Sequence, residues 1–537
     1  MTAVMDSTDP VVEDPIGTPE QPRLPDASVL EDKTPAWIRT PGISVAFTVV
    51  IGTIFVILAN RPLHQTDLWD HLNYGREILQ TRRIPTTEPL LPLAEGVPMV
   101  NVPWLAEVGM TLLQSRFGLS ALQFSYGFLI AASLAVVAWR ATRRAGSAYA
   151  GFVAIAVFMA MNFHQFMVIR PQLIGVLFFS ITAVWSLAHR RHSVVTWVGM
   201  PLMFAVWANS HASFSTGLLL LALTAAGRFL DVWSRSRSLR LAVSDPQFDR
   251  MLLLTQLCAA AVLLNPWGLA IYGEVFRVAA NPNIQSMFEW NPLTLRMNQG
   301  QWAAVATLVA AIVMKTTPRR IRFVEILPLT VMGLLALWSA RMINWWAPLM
   351  ALFVATHLIA SIRSIRSESR TLQVSRRTGL WTVVNLGFCW VFFAFTTFGI
   401  QLVHGKATPP SRMMSSDTPV QAVEKLNELA GKNRLPGGIA FVPAEWSGYV
   451  INAGPELLRP MVNLHVHLIP TEVWNDYLRV MHGPSDWDHL LDQYGINIVM
   501  VDKVQNAGLL KRLTGSDDWS ALYSDRQAAV FYRKKPI

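Results

Sequence analysis

ALQFSYGFLIAASLAVVAWRATRR, residues 121–144, decides the fold class. Its first part, 121–139, carries no charge, and RATRR at 140–144 then brings three arginines together. An α-helix rises about 1.5 Å per residue, so such a run reaches across a hydrocarbon core of about 30 Å. The basic cluster behind it marks a cytoplasmic end. Similar apolar runs lie at 43–59, 148–163, 172–188, 194–208, 214–230, 251–266, 301–315, 323–339, 345–361 and 380–401. Together they predict a polytopic α-helical membrane protein of about eleven spans. A membrane β-barrel needs short alternating segments, and these runs are continuous.

Composition points the same way. The 537 residues are 52% hydrophobic and 15% charged, where a typical soluble protein is about 25% charged. Mean hydropathy is +0.34. These values exclude a purely soluble enzyme, a disordered chain and a disulfide scaffold. The formal net charge of +10 gathers in short loops: RATRR, HRRH at 189–192, RSRSLR at 235–240, RRIR at 319–322 and SIRSIRSESR at 361–370. None is long enough to build a basic surface for nucleic acid, so no nucleic-acid partner is expected. Residues 1–42 form an acidic, Pro-rich tail, expected to be disordered and cytoplasmic. An odd number of spans then places every arginine-rich loop inside. Loops 60–120, 164–171, 209–213, 267–300 and 340–344 face outward, and the C-terminus lies outside a plasma (inner) membrane. Cys258 and Cys389 sit within apolar runs, without metal-ligand or disulfide spacing. No phosphate-binding glycine fingerprint occurs in a strand–turn–helix context.

Beyond residue 401 the pattern changes. Short β-like runs at 438–442 (GIAFV), 497–502 (NIVMVD) and 528–532 (AAVFY) alternate with helical patterns at 418–430 and 485–494. They predict a small extracytoplasmic α/β domain over 405–537, following a transmembrane domain over 43–404.

The chemistry concentrates in the first outer loop, which opens RPLHQTDLWDHLNYGREIL at 61–79. His64, Asp67, Asp70 and His71 crowd the membrane face. On a helix over 66–79, Asp67, Asp70 and His71 share one side. Such groups deprotonate a hydroxyl, or hold a divalent metal (Asp67, Asp70 and His64 as candidate ligands) that neutralises a phosphate leaving group. The competing reading makes Asp67 a helix cap. Glu107, one turn after Trp104 in NVPWLAEVGMTLL (101–113), is either a second site carboxylate or solvated. Arg170 in VIRPQL, His211 in WANSHASF, Glu289 in FEWNP and Arg341 in SARMINWW lie on the same outer side. An arginine there suits a lipid phosphate. The alternatives are headgroup snorkelling for each arginine and an interhelical hydrogen bond for His211.

A family resemblance rests on these residues. The D-x-W-x-H-x-x-x-G pattern (Asp67, Trp69, His71, Gly75), WLAE at 104–107, RPQ at 170–172, WANSH at 207–211, NPWG at 265–268, EW at 289–290 and WSGY at 446–449 occur in order. Together they resemble bacterial GT-C-type membrane glycosyltransferases, of the lipopolysaccharide galacturonosyltransferase-like and dolichyl-phosphate-mannose mannosyltransferase-like kinds. The resemblance covers roughly residues 43–537. It implies transfer of a sugar from a polyprenyl-phosphate donor to an envelope glycan or lipid acceptor on the outer face, by an inverting mechanism. It casts Asp67 as the base or metal-assisting group; the residues themselves then suggest His71 and Asp70 as its assistants, and Trp69 with the polar residues above as substrate-binding. This chain departs from the pattern at Pro103 and at Asn463, Leu464 and His465, where relatives often carry acidic residues or an acidic-Gly-Arg stretch. Two rival readings are a non-catalytic envelope component docking through its C-terminal domain, and a lipid-sugar transporter. The transporter lacks the two matching broken halves it requires.

Overall fold

The computed structural model describes residues 42–64, 67–187, 193–366, 379–406 and 408–535. The expectations for the tail before residue 42, for HRRH at 189–192 and for the end of the 361–370 loop fall outside them.

Every apolar run forms helix, beginning with α1 (Ile43–Ala59). After it come α2 (Leu68–Thr81) and α3 (Trp104–Phe117) in the first loop, and then α4 (Leu119–Ala145). Among the described residues, three helical stretches are long and apolar enough to cross a membrane: Leu119–Ala145, Phe214–Ser236 and Ala340–Ile365. The run expected as one span at 380–401 is apolar enough as a whole but is not one straight helix. It is two helices, Leu380–Ala394 and Thr397–His404, bent by 92° at their junction. Thr396 turns the chain there, its hydroxyl accepting from the Gly399 N–H as the cap of the second helix. Helix exteriors carry exposed apolar rows, such as Val195, Val198, Leu202 and Val206, or Trp302, Val305, Leu308 and Ile312. Surfaces of that kind suit lipid rather than water.

The bundle has two chemically distinct ends. At one, Arg144 pairs with Glu325, Arg319 donates to the Arg144 carbonyl at 2.9 Å, and Arg363 donates to the carbonyls of Ala145 and Gly146 at 2.8 and 2.9 Å. The 27 residues of α4 carry the chain about 40 Å from there to the other end. That far end holds the first loop and the polar residues of the outward-assigned segments.

The C-terminal region builds a five-stranded sheet in the order β2–β1–β3–β5–β4. Its strands are β1 (Gly438–Phe441), β2 (Leu458–Pro460), β3 (Ile498–Asp502), β4 (Trp519–Ser524) and β5 (Ala528–Arg533). β1 pairs in parallel with β2 and β3, while β5 runs antiparallel to β3 and β4. The sheet shares its cores with the first loop. Leu68, Trp69 and Leu72 pack with Val442, Trp446 and Tyr449, and on another side Leu91 and Ala94 join Phe441 and Tyr477. The WSGY segment makes this seat on the helix Ala444–Ala453. A Cβ on Gly448 would lie 2.6 Å from Asp70 Oδ1, so only glycine lets that helix approach α2. Asn73 secures the contact by donating to the Gly448 carbonyl at 2.9 Å. Gly75 plays the same part between α2 and α3, its position facing the Glu107 carbonyl.

Candidate functional site

α2 begins two residues later than the sequence predicts, so Asp67 occupies the N-cap position. Its side chain makes no capping bond. Instead Oδ1 accepts from Arg170 Nε at 2.9 Å, which rules against the helix-cap reading. Arg170 also donates through Nη1 to Glu289 Oε2 at 2.5 Å, and Arg341 Nη1 donates to Glu289 Oε1 at 2.6 Å. The Arg341 guanidinium lies over the Trp290 ring at 5.6 Å. The two arginines are therefore not isolated cations snorkelling to headgroups. Two carboxylates tie them into one lattice.

Burial alone would raise the Asp67 and Glu289 carboxyls. For Asp67, the fields of Arg170, His71, His465 and Arg341 outweigh it and hold the group below its usual range. For Glu289, Arg341 and Arg170 do the same. Both remain anionic at neutral pH.

A second chain of contacts runs behind the first. His71 Nε2 lies 3.9 Å from Asp67 Oδ2, while its Nδ1 hydrogen-bonds Glu107 Oε1 at 2.9 Å. Glu107 Oε2 accepts from Asn101 Nδ2 at 2.6 Å. Glu107 is fully buried, so the solvated alternative is corrected. Burial pulls the His71 imidazole down, but the Glu107 bond and the charges of Asp67, Glu107 and Asp70 leave it above its ordinary value.

These groups meet at a cavity of about 280 Å³ between the bundle end and the C-terminal region. Asp67, His71, Arg170, His211, Glu289 and Arg341 all line it. So do four residues not anticipated as site residues: Glu274, Trp290, His465 and His467. The H-x-H spacing of His465 and His467 was the available signal for the last two. His211 Nδ1 takes its contacts from its own loop, the hydroxyl and N–H of Ser213 at 2.8 and 3.0 Å, rather than from another helix. Burial, then Arg341 and His71, hold His211 well below the usual histidine range. Burial and neighbouring histidines do the same to His465, and His467 falls to about 4 by burial and Arg277. The wall thus mixes fixed charges with neutral imidazoles.

Four expected site residues do not line the cavity: Glu107, which stands behind His71, and Trp69, His64 and Asp70. Trp69 is not at the cavity; it is buried against Tyr449, ring centroids 5.1 Å apart, in the core shared with the sheet. His64 faces Asp417 at 3.9 Å instead of joining a metal set with Asp67 and Asp70. Asp70 points behind the wall, where its Oδ2 accepts from the Leu464 N–H at 3.3 Å. Burial and the Asp67 charge push its carboxyl up to about 8.

A divalent metal at Asp67, Asp70 and His64 does not fit this arrangement, since the three side chains face different partners. A different donor set does. One ligand atom each from His71, Glu107 and His465 lies within 4.8 Å of the others, and His465 Nδ1 is buried without a partner.

No protein-family profile matches the chain. Two curated proteins provisionally named 8-amino-7-oxononanoate synthase, from Trichormus variabilis and Nostoc, are each 38% identical over 68 residues. That stretch is 13% of this chain and 17% of theirs, so the chain spans about a sixth of their length. Solved structures match far more broadly. The Archaeoglobus fulgidus oligosaccharyltransferase AglB, in complex with an inhibitory peptide and a dolichol-phosphate, superposes with a TM-score of 0.53 at 10% identity, over 87% of this chain and 69% of that one. The oligosaccharyltransferase of the same organism, tethered to an acceptor peptide, gives 0.54 at 12% identity, over 94% and 74%. ArnT from Cupriavidus metallidurans, bound to undecaprenyl phosphate, gives 0.49 at 13% identity, over 91% and 98%. The chain is therefore similar in fold to the Archaeoglobus fulgidus oligosaccharyltransferase over most of its length.

Proposed function

We propose that this chain is an inverting glycosyltransferase that moves a sugar from a polyprenyl-phosphate donor to an envelope glycan or lipid acceptor. The reaction would run at the outer face of the plasma (inner) membrane. The observation that carries the reading is the Asp67–Arg170–Glu289–Arg341 lattice on a cavity wall, at the end of the bundle away from the arginine-rich loops. Support comes from the fold shared with AglB, a protein solved with a dolichol-phosphate. The same reading has about eleven spans, the N-terminus cytoplasmic and residues 405–537 outside, docked on the first loop.

Each guanidinium carries five N–H donors. The lattice uses two on Arg170 and one on Arg341, which leaves donors on both for a phosphodiester. Attack by the acceptor hydroxyl forms its bond to the anomeric carbon as the bond from that carbon to the phosphate oxygen breaks. The phosphate departs with the electron pair between the arginines, and the hydroxyl proton passes to Asp67. A depressed carboxyl is a weak base. Asp67 therefore orients the hydroxyl first and takes the proton late, when bond formation has made the oxygen acidic. His71, held by Glu107, supports the Asp67 charge.

Mass spectrometry of envelope glycans and lipids from cells with and without the gene tests the reading. A sugar increment that depends on the gene is expected. Its absence, with normal envelope assembly only when the C-terminal domain is present, would favour the docking protein instead.

A further inference from the structure

The first loop and the C-terminal region meet at a cluster of which the transfer step uses only His71, steadied by Glu107, beside Asp67. His71 and Glu107 come from α2 and α3, already in contact at 2.9 Å. His465 arrives from the segment after β2, its ring edge-on to His71 with centroids 5.0 Å apart. We infer that His71, Glu107 and His465 bind one first-row divalent transition metal ion, Zn²⁺ being the best match, and that the ion clamps the C-terminal region onto the first loop.

The donor set selects the class of ion. Two imidazoles and a carboxylate suit zinc and its neighbours, whereas magnesium and calcium want oxygen ligands. The distances are within reach. Ligands about 2.1 Å from a tetrahedral ion stand about 3.4 Å apart, so the present spread of up to 4.8 Å closes by small side-chain rotations. Outer partners are in place as well. Asn101 donates to the second oxygen of Glu107 at 2.6 Å, which fixes that carboxylate. Asp70 Oδ2 stands 4.0 Å from His465 Nδ1, and that nitrogen and Asp70 Oδ1 are both buried without partners. A carboxylate behind a ligating histidine orients the ring and raises its basicity. His71 and His465 also line the cavity, so a fourth coordination position opens toward it.

Although His71 and Glu107 also serve the proposed transfer step, metal content can be measured without any transfer activity. Purified full-length protein in detergent is stripped with chelator, reloaded with Zn²⁺ or Co²⁺, and dialysed. Elemental analysis is expected to give about one ion per chain, with Co²⁺ producing the visible bands of a tetrahedral site. Glu107→Gln and His465→Ala should each lower affinity by at least about tenfold. His64→Ala and Asp67→Asn should retain the ion. Chelation of the wild type should lower its Tm and speed proteolysis ahead of β1, a readout free of any folding defect in a variant. No bound transition metal in the wild type overturns the inference, and so does full retention by both Glu107→Gln and His465→Ala.

Discussion

Arg170 and Asp67 form a 2.9 Å ion pair on the cavity wall, joining the first loop to the segment that opens the helix Gln172–Ser186. The pair changes what each residue means. Asp67 becomes a fixed, anionic hydrogen-bond acceptor instead of a free base. Arg170 becomes a cation whose position is set before any phosphate arrives, which is the preorganisation that charge stabilisation needs.

Lysine keeps the charge at these sites but loses the planar fork. Arg170→Lys and Arg341→Lys are each expected to weaken binding of undecaprenyl phosphate by about tenfold, or about 1.4 kcal/mol. Thermal-shift titration of the purified variants measures this. Unchanged affinity in both would mean that the arginines serve only their carboxylate partners.

Glu289 binds both arginines, and its lowered carboxyl links the lattice to pH. Burial works against the charged form, while Arg341 and Arg170 win, with Asp67 nearby opposing. A group depressed in the folded state contributes stability above its unfolded value and loses it as pH falls through the folded one. Glu289→Gln should therefore lower stability near neutral pH by about 1–2 kcal/mol, discounted for partial exposure. The gap in Tm should persist down to the ordinary carboxylate range and then close with further acid. A gap that widens in acid would contradict the pairing.

Gly448 tests the seat of the C-terminal region. In Gly448→Ala the new methyl meets Asp70 Oδ1 at 2.6 Å and its backbone nitrogen at 3.0 Å. Overpacking of this kind costs about 1–3 kcal/mol. Limited proteolysis should cut the chain ahead of β1 faster than in the wild type, and removing the Asp70 side chain in Gly448→Ala/Asp70→Ala should restore part of the protection. Equal protection in Gly448→Ala and wild type would show that the close contact does not hold the domains together.

Orientation follows from charge. A reporter active only in the cytoplasm, fused after Ile537, should give no signal, whereas an extracytoplasmic reporter at the same place should. The opposite pair of results would put the cavity on the wrong face for a polyprenyl-phosphate donor.

Much of this was legible in the residues, because apolar runs and helical spacing are local. The helices came out at the expected places, as did β1, β3 and β5. β2 was missed because it is three residues long with Pro460 at its end, tolerable only on an edge. β4 was missed because WSALYS gains its strand character from pairing with β5. The bend at Thr396 was hidden by hydrophobicity on both sides. In the site, spacing brought Asp67 and His71 together, and the outward loops supplied Arg170, Glu289 and Arg341. Spacing could not separate Asp70 and Trp69 from the cavity, because that depends on what packs against α2. Its partner is the WSGY segment, nearly four hundred positions away. The same distance concealed His465.

If Asp67 serves sugar transfer rather than architecture, its loss should be felt in the envelope before it is felt in the fold. A strain lacking the gene is complemented with wild type or Asp67→Asn, matched for protein level and melting curve, and its envelope glycans and lipids are weighed by mass spectrometry. The gene-dependent sugar increment should return with wild type and fall by about 10²–10⁴ in rate with Asp67→Asn, the usual worth of a positioned proton acceptor. Full restoration of the increment by Asp67→Asn would contradict that role.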